Sequence, residues 1–120
     1  MKLLLILTLS LAACESGDPT GSVCPTDTPP TYASFGQQFF TTYCTSCHSA
    51  TTANRHDAPG SQNYDTEADV IRHAAEIDAA AAKGPDATNT FMPELGGTVT
   101  RKPTDAEREM LGQYLACVMN

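Results

Sequence analysis

Five cysteines and three histidines supply most of the reactive side chains in this 120-residue chain. Three of these residues form a single run, Cys44-Thr45-Ser46-Cys47-His48. Two thiols separated by two residues on a tight turn are spaced to reach the two vinyl groups of one porphyrin. The imidazole that directly follows the second thiol then falls beneath the metal. C-x-x-C-H is therefore the pattern of covalent haem attachment, specific because all three residues sit at set offsets. A thioredoxin-like redox pair would follow a strand, and no strand pattern precedes this one. A structural zinc site would need a second thiol pair or a paired histidine motif, and neither is present. The run implies one haem c carried on Cys44, Cys47 and His48. His56, beside Arg55 in a polar stretch, and His73, next to an apolar stripe, read as surface or partly buried histidines without a metal.

Cys14, Cys24 and Cys117 remain. Met1-Lys2 is a short basic start, Leu3 to Leu11 is an apolar run, and Ala12-Ala13 leads into Cys14. This is the layout of an export signal. The run is shorter than the roughly 20 residues a membrane-spanning helix needs. Leu11-Ala12-Ala13-Cys14 resembles the lipobox of bacterial lipoproteins. That resemblance implies a signal peptide over residues 1–13, cleavage before Cys14 and a lipid on its thiol. Glu15, in place of Asp, implies sorting to the outer membrane if the rule of enteric bacteria applies. The chain is then exported and lipid-anchored, on a periplasmic face or at the outer membrane. In an oxidising compartment two leftover thiols tend to pair, so a Cys24–Cys117 disulfide is expected, with free thiols or pairing between molecules as the open alternatives.

The formal charge of −7 argues against nucleic-acid phosphates as a partner. It suits solubility, and equally a redox partner with a basic docking surface. With no Trp, four Phe and four Tyr, the chain has a thin apolar core of its own, and a domain this small often needs a cofactor or a staple.

The elements that must position the run read as all-α. Residues 14–33 are rich in Gly, Ser, Thr, Asp and Pro without hydrophobic period, the composition of a flexible tether between lipid and domain. Residues 34–47 read as a first helix, capped by Ser34, with Phe35, Phe39, Phe40 and Tyr43 on one face. Residues 49–64 read as a loop. Thr66 and Asp69 form a capping box ahead of a second helix, with Val70, Ala74, Ile77 and Ala81 at helical spacing and Lys83-Gly84-Pro85 as its stop. Residues 85–103 read as a loop containing Met92-Pro93. Thr104 and Glu107 cap a last helix with a stripe of Met110, Leu111, Tyr114, Leu115 and Val118.

Over residues 34–119 the chain resembles the small class I cytochrome c family. The marks are Cys44-Thr45-Ser46-Cys47-His48, Gly36 and Phe40 eight and four residues before Cys44, Met92-Pro93 in a loop between helices, and Pro59 eleven residues after His48. The resemblance implies a cytochrome c fold over residues 34–120, with three or more short helices around one covalent haem. It implies that Gly36 and Phe40 let the first helix cross the last near Tyr114 and Leu115. It also implies that Met92 is the second axial ligand and that the Pro59 carbonyl accepts a hydrogen bond from the far nitrogen of His48. Phe35, Phe40, Phe91, Leu95, Leu111 and Tyr114 are the candidates for packing against the haem, and Arg55 or Arg72 for pairing with a propionate. The function implied is a one-electron carrier, not an enzyme, passing electrons between a donor and an acceptor protein. A haem-based sensor of small ligands is the alternative, if Met92 is absent from the iron or easily displaced. A haem-free structural lipoprotein is the second alternative.

Overall fold

Thr31 opens the first helical segment: its hydroxyl oxygen accepts the Ser34 N–H at 3.0 Å, and the Ser34 hydroxyl oxygen accepts the Thr31 N–H at 2.9 Å. The computed structural model describes residues 17–119. The signal peptide expected over 1–13 and the lipidation expected at Cys14 lie outside the described residues. From Thr31 a π-helical turn, Tyr32–Gly36, runs into α1, Gln37–Tyr43. Ser34, expected as the cap, is instead the reciprocal partner of the cap, so the segment begins earlier than the apolar face suggests. It also ends earlier, at Tyr43, because the backbone leaves helical geometry at Cys44 and the residues that follow form turns.

The second helical stretch is two helices. Thr66 caps α2, Glu67–Arg72, in the expected box with Asp69. His73, at φ −110° and ψ 15°, then breaks the run before α3, Ala74–Ala81. Its Nδ1 lies 2.9 Å from Glu76 Oε2, and its ring meets the edge of Tyr64. Val70, Ala74, Ile77 and Ala81 are all buried, so the spacing identified the inner face although the helix is split. The stop also differs from expectation. Ala82 is already extended and Lys83 pairs with Thr88 in an isolated bridge, so Gly84 is not a helix cap.

α4, Asp105–Met119, carries the expected cap: the Thr104 hydroxyl oxygen accepts the Glu107 N–H at 3.1 Å, and Glu107 Oε1 accepts the Thr104 N–H at 3.2 Å. It packs against α3 and against the first segment. Leu111, Tyr114 and Leu115 are completely buried, whereas Met110 is exposed. The crossing with the first segment occurs at Gly36, where a Cβ would lie 3.1 Å from Tyr114 Cζ. Phe40 and Tyr114 meet edge-on there, ring centroids 6.5 Å apart. Among the described residues there is no strand beyond two isolated bridges, and no helix is long and apolar enough to cross a membrane.

Residues 17–24, expected to belong to a flexible tether, lie against the domain. Thr20 is completely buried; its N–H and hydroxyl donate to Asp78 at 2.8 and 2.7 Å. The Gly17 N–H donates to Ala79 O at 2.8 Å. Small residues make this approach possible: a Cβ on Gly84 would sit 2.5 Å, and one on Gly112 2.3 Å, from Ser22 Oγ. Low hydrophobicity here marks backbone packed on backbone and does not mark freedom. The segment is closed off by a Cys24–Cys117 disulfide with Cα atoms 4.6 Å apart.

Candidate functional site

The thiol-bearing run forms the turn that leaves α1. The N–H groups of Cys47 and His48 both donate to Cys44 O, at 3.1 and 2.8 Å, and the Thr45 N–H reaches back to Phe40 O at 3.0 Å. Cys44 and Cys47 are free and half-buried. Burial, with Cys47 alongside, pushes the Cys44 thiol up to about 12. That is the reverse of the lowered thiol expected in a redox-active C-x-x-C pair. Among the described residues no group of three or more His, Cys, Asp and Glu side chains is placed to hold a metal ion, as a zinc site would require.

His48 is buried, and its ring stacks on Tyr64 with centroids 4.8 Å apart and planes 27° apart. Its Nδ1 lies 3.0 Å from Gln62 O. A carbonyl only accepts, so Nδ1 carries the proton and Nε2 keeps the lone pair. Burial lowers the ring's affinity for a second proton. The Gln62 hydrogen bond opposes that shift, and the charges of Arg55 and His73 reinforce it. The imidazole is thus neutral and oriented, with Nε2 available to bind a metal.

The carbonyl belongs to Gln62 and not to Pro59, which corrects the expectation drawn from the resemblance. Pro59 O is taken by Arg55 Nη2 at 2.6 Å. Arg55 also donates to Ser49 O, Ala58 O, Gln62 O and Asn63 Oδ1, drawing residues 49–63 into a closed loop. Its guanidinium is spent on that loop, and the largely exposed Arg72 pairs with Asp69 at 3.2 Å. Gln62, Tyr64 and the structural role of Arg55 were missed at the level of sequence. Tyr64, a large ring closing a polar stretch, was the one available signal.

The loop carrying Met92 reaches the same turn at its far end, where the Thr98 N–H donates to Ser46 Oγ at 3.2 Å. Gly97, at φ 56°, allows this contact, because a Cβ there would lie 2.2 Å from Ser46 Oγ. Phe91, Met92 and Leu95 are 47%, 37% and 59% exposed, so this one loop leaves two apolar side chains and a methionine partly open to solvent. Phe40, Leu111 and Tyr114, named with them as haem-packing candidates, are instead enclosed by protein in the α1–α4 core, and Phe35 packs at its edge.

On the other side of α1, Tyr43 donates to Glu107 Oε2 at 2.6 Å, and Arg101 donates to Glu107 Oε1 at 2.8 Å while lying over the Tyr43 ring. Burial raises the Glu107 carboxyl. Hydrogen bonds from Arg101, Tyr43 and the Thr104 N–H outweigh it and bring the carboxyl down to about 2.

A strand-free helical shell that presents two thiols and an oriented imidazole from a single turn is the arrangement of a covalent haem protein. A sequence model of the Cytochrome c family matches residues 33–118, and the chain belongs to that family. Its fold is the all-α cytochrome c fold, its cofactor is one covalently bound haem c, and it is an electron-transfer protein and not an enzyme. No curated protein and no solved structure matches the chain. The donor set suits the cofactor. Two free thiols stand three positions apart, a neutral imidazole keeps Nε2 available, and an exposed thioether lies in a loop tied to the same turn.

Proposed function

We propose that the chain is an exported, lipid-anchored one-electron carrier. When the haem is bound, Cys44 and Cys47 would hold it through thioether links, and His48 and Met92 would be the ligands to its iron. The haem supplies an iron that alternates between ferric and ferrous. His48 contributes an imidazole held in one orientation by the Gln62 carbonyl and the Tyr64 ring. Met92 contributes a soft, neutral sulfur, which favours the ferrous state and raises the potential. With His48 and Met92 both bound, the iron would have no open position for oxygen or peroxide. The observation that carries this reading is the buried, singly committed imidazole beside two free thiols. In protein matured in a haem-attaching host, the ferric spectrum is expected to show the weak red band of Met-ligated haem, and Met92→Ala to abolish it.

Cys14 is the lipidation site in this proposal, and the anchor lies on the periplasmic face or at the outer membrane. Donor and acceptor are redox proteins at that surface. With Gly17 hydrogen-bonded to the domain, three residue steps separate the lipidated position from a held one, a span of at most about 11 Å. The domain therefore stays close to the bilayer, where a long tether would let it swing. Replacing Cys14 is expected to leave the spectrum unchanged and release the protein into the soluble fraction; retention in the membrane would refute the anchor.

A further inference from the structure

The last four carbonyls of a helix have no partner within it. In α3 Asp78 O still accepts the Ala82 N–H at 3.2 Å, and the carbonyls of Ala79, Ala80 and Ala81 are taken up by three different parts of the chain. Asp78 O receives Asn89 Nδ2 at 2.9 Å. Ala79 O receives the Gly17 N–H at 2.8 Å, and Ala80 O receives the Met92 N–H at 2.9 Å. Ala81 O receives Arg108 Nη1 at 2.7 Å. The strap (residues 17–24), the Met92 segment and α4 therefore meet on successive carbonyls of one helix end.

Arg108 binds this junction together. Its Nη1 also donates to Asn89 O at 3.0 Å and to Met92 O at 2.8 Å. The residue is buried, and none of the ion pairs among the described residues includes it. The carbonyl oxygens at the end of α3, together with the charges of Asp105 and Glu107, offset its guanidinium. The strap closes the junction from outside. Thr20 occupies both carboxylate oxygens of buried Asp78, and Asp18 O accepts a hydrogen bond from Asn89 Nδ2. Met92 is consequently held through its own N–H and carbonyl by a network that ends in residues lying before the family-matched stretch.

We propose that the strap and Arg108 form a clasp that positions Met92, so that docking of residues 17–24 sets how readily an outside ligand replaces the thioether. Arg108, Asn89, Asp78 and Thr20 act here as positioning residues. The inference rests on Met92 being the axial ligand, a reading that the same experiment checks separately.

The test uses ferric holoprotein, imidazole as the competing ligand, the red band as readout, and urea unfolding in parallel. Thr20→Val keeps the side-chain shape and removes the hydroxyl. It is expected to tighten imidazole binding about tenfold, equivalent to about 1.4 kcal/mol, and to move loss of the band to lower pH. Thr20→Ser should restore both. Gly17→Ala acts at the strap's partly exposed end, where a Cβ would fall 1.8 Å from Oδ1 of buried Asn89 and 2.8 Å from Ala79 O, and should shift both readouts in the same direction. Arg108→Met should give the largest shift, and Arg108→Lys a smaller one. Variants that lose stability in urea yet bind imidazole within twofold of wild type would overturn the clasp. A wild-type protein lacking the red band would refute Met92 ligation itself.

Discussion

His48 and Met92 are held in unlike ways. The groups around His48 are its neighbours in the chain: Gln62 fourteen positions on, Tyr64 just beyond, and Arg55 between them closing the loop. The groups around Met92 are gathered from far apart. Its direct partners, Ala80 and Arg108, are twelve positions back and sixteen on, but the clasp that holds them closes through Thr20–Asp78 hydrogen bonds that span fifty-eight. A local arrangement forms as soon as its loop does, whereas a distant one depends on the whole domain being assembled. The imidazole side should accordingly be the robust half of the site and the thioether side the adjustable half, the more natural place for strap and disulfide to act.

The sharpest way to break this contrast is to remove each proposed ligand in turn. His48→Ala is expected to disturb both oxidation states and to impair haem attachment. Met92→Ala should leave the haem covalently bound and lose only the red band, opening the iron to carbon monoxide in the reduced protein. Equal loss of haem in both variants would contradict the asymmetry.

Next in size is the staple. Replacing Cys24 and Cys117 by Ser opens a loop of 93 residues and should destabilise the domain by about 4 kcal/mol in urea on the chain-entropy account. The band should weaken while haem stays attached. Leu111→Ala, a completely buried side chain in α4, should cost about 3 kcal/mol and affect both halves together, because α4 underlies both.

The smallest expected effect is acid sensitivity at Glu107. Its carboxyl is depressed in the folded protein, so its contribution is present above the unfolded value of about 4.5 and is lost as pH falls toward 2. Glu107→Gln should therefore be less stable by about 1 kcal/mol near neutrality, with the gap closing in strong acid. A gap that persists unchanged at pH 2 would show that the carboxylate charge is not its source.

How much of this was legible in the residues follows the same division. The thiol–imidazole turn, the Thr66 and Thr104 caps and the inner faces of the helices depend on short spacings, and the structure has them. The break at His73 was not legible, because it depends on a side-chain contact with Glu76 and on Tyr64 from another segment. The carbonyl partner of His48 was misassigned to Pro59 for a related reason. Every residue offers a carbonyl, and only the loop drawn in by Arg55 decides that Gln62 presents it. Residues 17–24 read as a tether because composition reports burial of apolar side chains, whereas this segment is held by backbone donors, Thr20 and closely approached glycines. Arg108 sits one turn before Leu111 on an otherwise apolar stripe, and a charge in that position was the available sign of a buried polar junction.

Whether the porphyrin is bonded to the two thiols of this turn is decided by acid–acetone extraction of the purified mature protein, followed by its intact mass. Colour is expected to stay with the polypeptide, the mass to exceed polypeptide plus lipid by one haem, and replacement of Cys44 and Cys47 together by Ser to abolish both results. A colourless polypeptide at its bare mass from wild-type protein would contradict that bond.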